Sequence, residues 1–152
     1  MLTAKQIANI GAQTQKELEA EIQRCLEYLP KSKTKAYWEK SMDDRLLKAL
    51  DEAGGRPGDL LENFLVVSGR EVGFGMLFED LRELGLVHLG RPGVDPPSVS
   101  DRSYWIAHRV FLKWLEGYKQ ESGLNITVTT RRTDNFHPLL ETSVVTIKLY
   151  PI

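Results

Sequence analysis

The spacing of apolar residues changes character after Gly123, and that change restricts the fold more than any other feature of the chain. Before it, apolar side chains recur three and four residues apart. After it, Ile126, Val128 and Thr130 alternate with Thr127, Thr129 and Arg131, and Val145, Ile147 and Leu149 alternate with Val144, Thr146, Lys148 and Tyr150. A period of two belongs to strands and a period near 3.6 to helices. The tail therefore reads as an antiparallel hairpin whose polar loop contains Asp134, Asn135 and Pro138. A lone two-stranded ribbon is marginal in water, so it must lie on the preceding helices.

Upstream, Thr3 followed by Gln6 has the form of a capping box. Ile7, Ile10, Leu18, Ile22, Cys25, Leu26 and Leu29 continue at helical spacing to Pro30, which predicts a helix over 4–29. Gly11 and the polar residues 12–16 interrupt the stripe, so its first turns either project towards another chain or fray. A basic connector at Lys31, Lys33 and Lys35 leads past Tyr37 and Trp38 to Ser41, read as the cap of a helix over 41–53. Pro57, Leu60, Leu61, Phe64 and Leu65 predict another over 57–66, and glycines at 69, 73 and 75 a turn before a helix over 72–84. Residues 86–89 read as a short strand. Three prolines and two glycines within 90–97 mark the clearest linker, which would divide 1–89 from 100–152 if the single domain divides at all. A last helix begins at Ser100 or Asp101, with Tyr104, His108, Phe111, Leu112, Leu115 and Tyr118 on one face. The expected fold class is α+β, with about five helices, the C-terminal hairpin and the minor strand.

Composition excludes some functions. The 20 basic and 21 acidic side chains leave a net charge of −1, too little field to draw the whole surface to nucleic acid or an anionic membrane. No apolar run is long enough to span a bilayer, and no export signal opens the chain, so a cytoplasmic protein is expected. The lone cysteine, Cys25, sits at an apolar helical position, as a buried and inert thiol would. His88, His108 and His137 have no paired metal-ligand spacing, so neither metal nor other cofactor is expected. His108, on the aromatic face of its helix, reads as a hydrogen-bonded core histidine. The glycines at 69, 73 and 75 lack the lysine and hydroxyl residue of a phosphate loop, and Ser68 lacks the glycine of a nucleophile elbow.

Residues 41–92 contain three expected helices, and the third runs into Leu84-Gly85-Leu86-Val87 and the turn Gly90-Arg91-Pro92-Gly93. This arrangement resembles a winged helix-turn-helix domain. The resemblance implies DNA binding by helix 72–84 and the wing, with Arg70 and Arg91 as phosphate contacts. Against that, helix 72–84 has Glu79, Asp80 and Glu83 against Arg82 alone, a poor match to a polyanion.

Chemistry is scarce elsewhere. Lys31, Lys33 and Lys35 beside Tyr37 and Trp38 have the composition of a single-strand contact, but a solvated connector next to a core tryptophan is the commoner explanation. Arg131, Arg132, Asp134 and His137 in the hairpin loop could hold a phosphate and move a proton, which defines a hydrolase or nuclease alternative. The leading expectation is a non-enzymatic interaction or assembly protein. It would bind a protein partner, or itself, through the N-terminal helix and the hairpin edge, with Arg131, Arg132, His137 and Tyr150 in contact.

Overall fold

Leu18, Ile22, Cys25 and Leu29 form a stripe along the first helix, and all four are buried. That helix, α1, runs Ala4–Tyr28 and closes in a 3-10 turn, Leu29–Lys31, around Pro30. A computed structural model describes residues 1–55, 61–67, 74–85, 101–132 and 141–148. Among them lie three further α-helices: α2, Lys33–Glu52; α3, Phe74–Glu83; and α4, Asp101–Ser122. Three strands complete the fold: β1, Leu61–Val67; β2, Asn125–Arg132; and β3, Glu141–Lys148. The α+β class and the C-terminal antiparallel hairpin are as the apolar periodicity predicts.

Two of the expected helices are revised. The helix predicted to start at Ser41 starts at Ser32, whose hydroxyl accepts the Thr34 amide, and α2 then runs unbroken through the supposed connector. Its buried positions, Thr34, Trp38, Met42 and Ala49, keep helical spacing, so the lysines between them are simply the solvent side. The helix predicted over 57–66 is instead β1 from Leu61 onward. Pairing with β3 decides this: Leu61↔Lys148 through Val67↔Thr142 is an unbroken antiparallel ladder, and long-range pairing overrides a weak local helical pattern. Gly75, expected in a turn, lies within α3. The expected strand at 86–89, the linker at 90–97 and the hairpin loop lie outside the described residues.

The sheet order is β1-β3-β2, so the hairpin is not a ribbon on its own. One edge of β3 is covered by β1 and the other by β2. Glu141, Ser143, Val145 and Ile147 of β3 point inward, together with Ile126 of β2 and Val66 of β1. Thr127, Thr129 and Val144 are exposed on the opposite side of the sheet. On the inner side lies α4, which buries Ser103, Ile106, Ala107, His108, Val110, Phe111, Trp114 and Leu115. This is a wider face than the six residues expected from sequence, because α4 is enclosed by the sheet, α1 and α3. Gly123 ends it at φ +71, a conformation open to glycine at little cost, and its amide bonds the Lys119 carbonyl.

Trp38 meets Phe111 edge-on at 5.1 Å, and Trp114 lies 5.4 Å from Trp38. These rings join α2 to α4 in a geometry suited to the aromatic quadrupole. Trp38 is thus a core residue and has no face to offer a nucleic-acid base.

Candidate interaction surfaces

The capping box at Thr3 is formed. The Thr3 hydroxyl accepts from the Gln6 amide at 3.2 Å, and the Gln6 side chain accepts from the Thr3 amide at 2.9 Å. A helix closed at its first turn is not a frayed end, and of the two readings of this segment the projecting one fits. No residue before Leu18 is buried. Leu2, Ile7 and Ile10 are 62%, 57% and 55% exposed. Ile7, Leu18 and Leu29 are successive steps of eleven residues, about three helical turns, so they fall nearly in line. The exposed isoleucines therefore continue, beyond the body, the same stripe that α1 buries within it.

The hairpin supplies a second surface. Arg131 pairs with Thr142 and Arg132 with Glu141, which puts both arginines at the loop end of β2, with the Arg131 side chain exposed. His137 and Tyr150, the other expected partner contacts, lie outside the described residues, as do Arg70 and Arg91. The structure thus brings Arg131 and Arg132 together on one strand end and leaves the remaining assignments as expectations. What sequence reasoning missed is that only one side of the expected hairpin edge is open: β1 covers β3, and no described strand lies beyond β2. The signal was present as a run of five β-branched residues, 126–130.

Beneath this edge runs a buried polar seam that sequence reasoning also missed. His108 Nε2 lies 2.7 Å from Ser143 Oγ, and Ser143 Oγ lies 2.6 Å from Thr130 Oγ1. At the next residue of α4, Arg109 donates to Glu141 at 2.5 Å, and its guanidinium stands over the Trp105 ring at 5.2 Å. A serine hydrogen-bonded to a histidine has the spacing of a nucleophile and its base. Here both residues are completely buried, and Ser143 is shared with Thr130, so the pair faces protein and not a substrate cleft. Burial, and secondarily the Arg109 charge, push the His108 pKa down to about 4, which keeps the ring neutral between helix and strand. The seam fixes α4 on β3. His108 is the hydrogen-bonded core histidine that its place on the aromatic face predicts.

The acidic helix α3 packs inward through Leu77, Leu81 and the half-buried Asp80, while Glu79 and Glu83 are exposed. Asp80 accepts from Ser32 and Thr34 of the α1–α2 corner. Glu83 accepts from the Tyr28 hydroxyl, and Arg24 donates to the Leu84 carbonyl at 2.9 Å. Leu77 and Leu81 are wholly buried. Of the three helices in the winged-helix resemblance, the first and third are present as α2 and α3. The second is strand β1 from Leu61, and the wing lies outside the described residues.

A cavity of about 720 Å³ runs along α2 past Tyr37, Lys40, Asp44, Arg45, Lys48 and Glu52. Its charges are mixed, and it has no convergent set of reactive groups. Among the described residues no cluster of His, Cys, Asp and Glu could hold a metal ion. No described helix is long and apolar enough to cross a membrane. No family model matches the chain, and no curated protein or solved structure is similar to it.

Proposed function

We propose that this is a non-enzymatic interaction or assembly protein of the cytoplasm, which engages protein partners through the first half of α1 and the hairpin edge. One observation carries the reading. A capped helix holds Ile7 and Ile10 in water, in line with the stripe that the same helix buries against the body. Exposed apolar residues at i and i+3 on a preformed helix are the pattern by which helices enter a partner's groove. The buried, unpaired thiol of Cys25 suits a reducing compartment. The arginines at the end of β2 supply charge beside the second surface and, in this reading, orient the partner instead of binding a reacting group.

The test is affinity capture from the native host with the full chain as bait, alongside an Ile7→Glu/Ile10→Glu variant whose circular dichroism matches the parent. A protein retained by the parent and lost by the variant supports the reading. Equal recovery by both counts against the helix as the docking element.

A further inference from the structure

Among the described residues, the outer edge of β2 lacks the devices that usually keep edge strands apart. It contains no proline, glycine or lysine, and its charges are confined to its last two residues. Asn125↔Lys148 through Arg132↔Glu141 is an unbroken register, so no bulge turns the edge away. Five consecutive β-branched residues favour further pairing.

On the helix side this edge is overhung by α4. Leu112, Leu115, Glu116 and Lys119 of α4, with Ile126 and Val128 of β2, line an apolar groove of about 290 Å³. Val128 is 39% exposed there, whereas its neighbour on the same face, Ile126, is 3% exposed. An added strand would sit about 4.8 Å from β2 and direct alternate side chains into the groove. It must therefore be apolar at every second position on that face, and its charges must avoid those of Arg131.

β2 itself comes near both conditions: its inward residues within such a pairing are Ile126, Val128 and Thr130, the last with its hydroxyl turned to Ser143. We propose that β2 pairs antiparallel with β2 of a second copy, about a two-fold axis at Val128, to give a continuous sheet of order β1-β3-β2-β2-β3-β1. The proposal rests on the interaction reading above and names the occupant of its hairpin edge. A two-fold axis perpendicular to the sheet keeps both α4 helices on the same side, so inward residues pair with inward residues. With the axis on Val128, Ile126 faces Thr130, Thr127 faces Thr129, and Arg131 faces Asn125 of the second copy. Shifting the axis to Thr129 would set an arginine, Arg132, opposite Ile126, and shifting it to Thr127 would lose pairs at the strand end.

Charge selects the same arrangement. The two Arg131 residues lie six residues apart along the ribbon, about 20 Å, beyond the range of strong repulsion at physiological salt. Each instead faces the uncharged Asn125 of the other copy, on the side of the sheet away from α4. A parallel pairing would set the arginines side by side. Glu116 and Lys119 on the groove rim give each copy both signs of charge to present to the other.

The test is sedimentation of the full chain over a range of concentrations, with Val128→Lys and Val128→Cys variants. The parent should dimerise. V128K, which puts an inward charge on the edge, should weaken self-association by about tenfold or more with unchanged circular dichroism. V128C should form an interchain disulfide on mild oxidation, because the axis brings the two Cβ atoms together, while Cys25 stays silent through burial. A monomeric parent, or a dimer that survives V128K and does not cross-link at position 128, overturns the proposal. A monomeric parent that still captures a protein through Ile7 and Ile10 overturns this pairing alone and leaves the broader reading standing.

Discussion

Ser32 donates its hydroxyl to Asp80 at 2.6 Å while the same oxygen accepts the Thr34 amide at 2.8 Å, so one side chain both starts α2 and holds α3. Thr34, wholly buried, adds a second bond to the same Asp80 oxygen at 2.8 Å. The clamp joins segments 48 residues apart in sequence, and it accounts for an acidic helix that is poor at meeting DNA and good at meeting hydroxyl donors.

Asp80→Ala removes both acceptor contacts and leaves two hydroxyls near the α1–α2 corner to find new partners. It should lower unfolding free energy by about 1–3 kcal/mol in urea titrations. Ser32→Ala should cost about 1 kcal/mol through the cap alone. The double variant should then cost less than the sum of the singles, because the two share an interaction. Strict additivity would show that the clamp carries no energy of its own.

His108 sets a pH dependence whose sign follows from its environment. The folded pKa, about 4, is below the ordinary value of 6.5, so the unfolded chain binds more protons between these limits. Stability from the neutral ring is fully present above pH 6.5 and is lost as pH falls towards 4. The loss over that window is on the order of 3 kcal/mol. Denaturant titrations at stepped pH should show the parent losing stability across this range and His108→Leu losing less. Ser143 keeps Thr130 as a partner in that variant. Equal slopes for parent and variant would exclude His108 as the source.

The hairpin was legible in sequence because one side of it meets the core and the other meets water. Ile126, Val145 and Ile147 are buried, and Thr127, Thr129 and Val144 are exposed, which writes the period directly into residue types. β1 was not legible. Leu61, Phe64 and Leu65 happen to fall at helical spacing, and what makes them a strand is a ladder to residues about eighty positions away. The early start of α2 was hidden likewise, since lysines on its solvent side resemble a connector until Ser32 and Thr34 are seen to face Asp80. The polar seam escaped because threonine and serine are residue types common on the solvent side of strands; only the packing of α4 brings His108 against Ser143. For the proposed surfaces, the exposed stripe of α1 was visible in the spacing of Ile7 and Ile10, whereas the groove beside Val128 exists only once α4 is laid over β2.

Cys25 should be chemically silent in the native protein. It is 1% exposed, and burial, with Asp80 and Glu21 nearby, pushes its thiol pKa up to about 12. Very little thiolate is present at neutral pH, and a reagent has no route to it. Thiol titration should give no fast reaction in buffer and one equivalent in denaturant. A full equivalent reacting rapidly in buffer would mean that α1 separates from the body easily.

Trp38→Ala should be the most damaging of these single changes. The side chain is 3% exposed and touches Phe111 and Trp114. Truncation loses the transfer energy and leaves a cavity between α2 and α4, about 3–5 kcal/mol in all. In a chain of this size that corresponds to a Tm lower by roughly 10 °C. A change of only a degree or two would imply that α2 is held mainly by its Asp80 clamp.

Arg109 connects the surface to the seam, and its removal should be visible at His108. Its guanidinium is hydrogen-bonded to Glu141 and adjacent in sequence to the histidine, whose protonation it opposes. Arg109→Gln deletes the positive charge that opposes protonation, which favours the imidazolium. The His108 pKa should therefore rise from about 4. It should stay below 6.5, because burial is the larger cause and the substitution leaves the ring enclosed. Titration of the imidazole proton resonances by NMR reads the shift directly, and the pH range over which stability falls should move upward with it. Breaking the ion pair also costs stability, on the order of 1 kcal/mol for a guanidinium that is more than a third exposed, so the two effects separate by pH: the pair's loss persists at pH 7, while the histidine's part appears only on acidification. An unchanged histidine titration in a folded Arg109→Gln protein would assign the depressed pKa to burial alone.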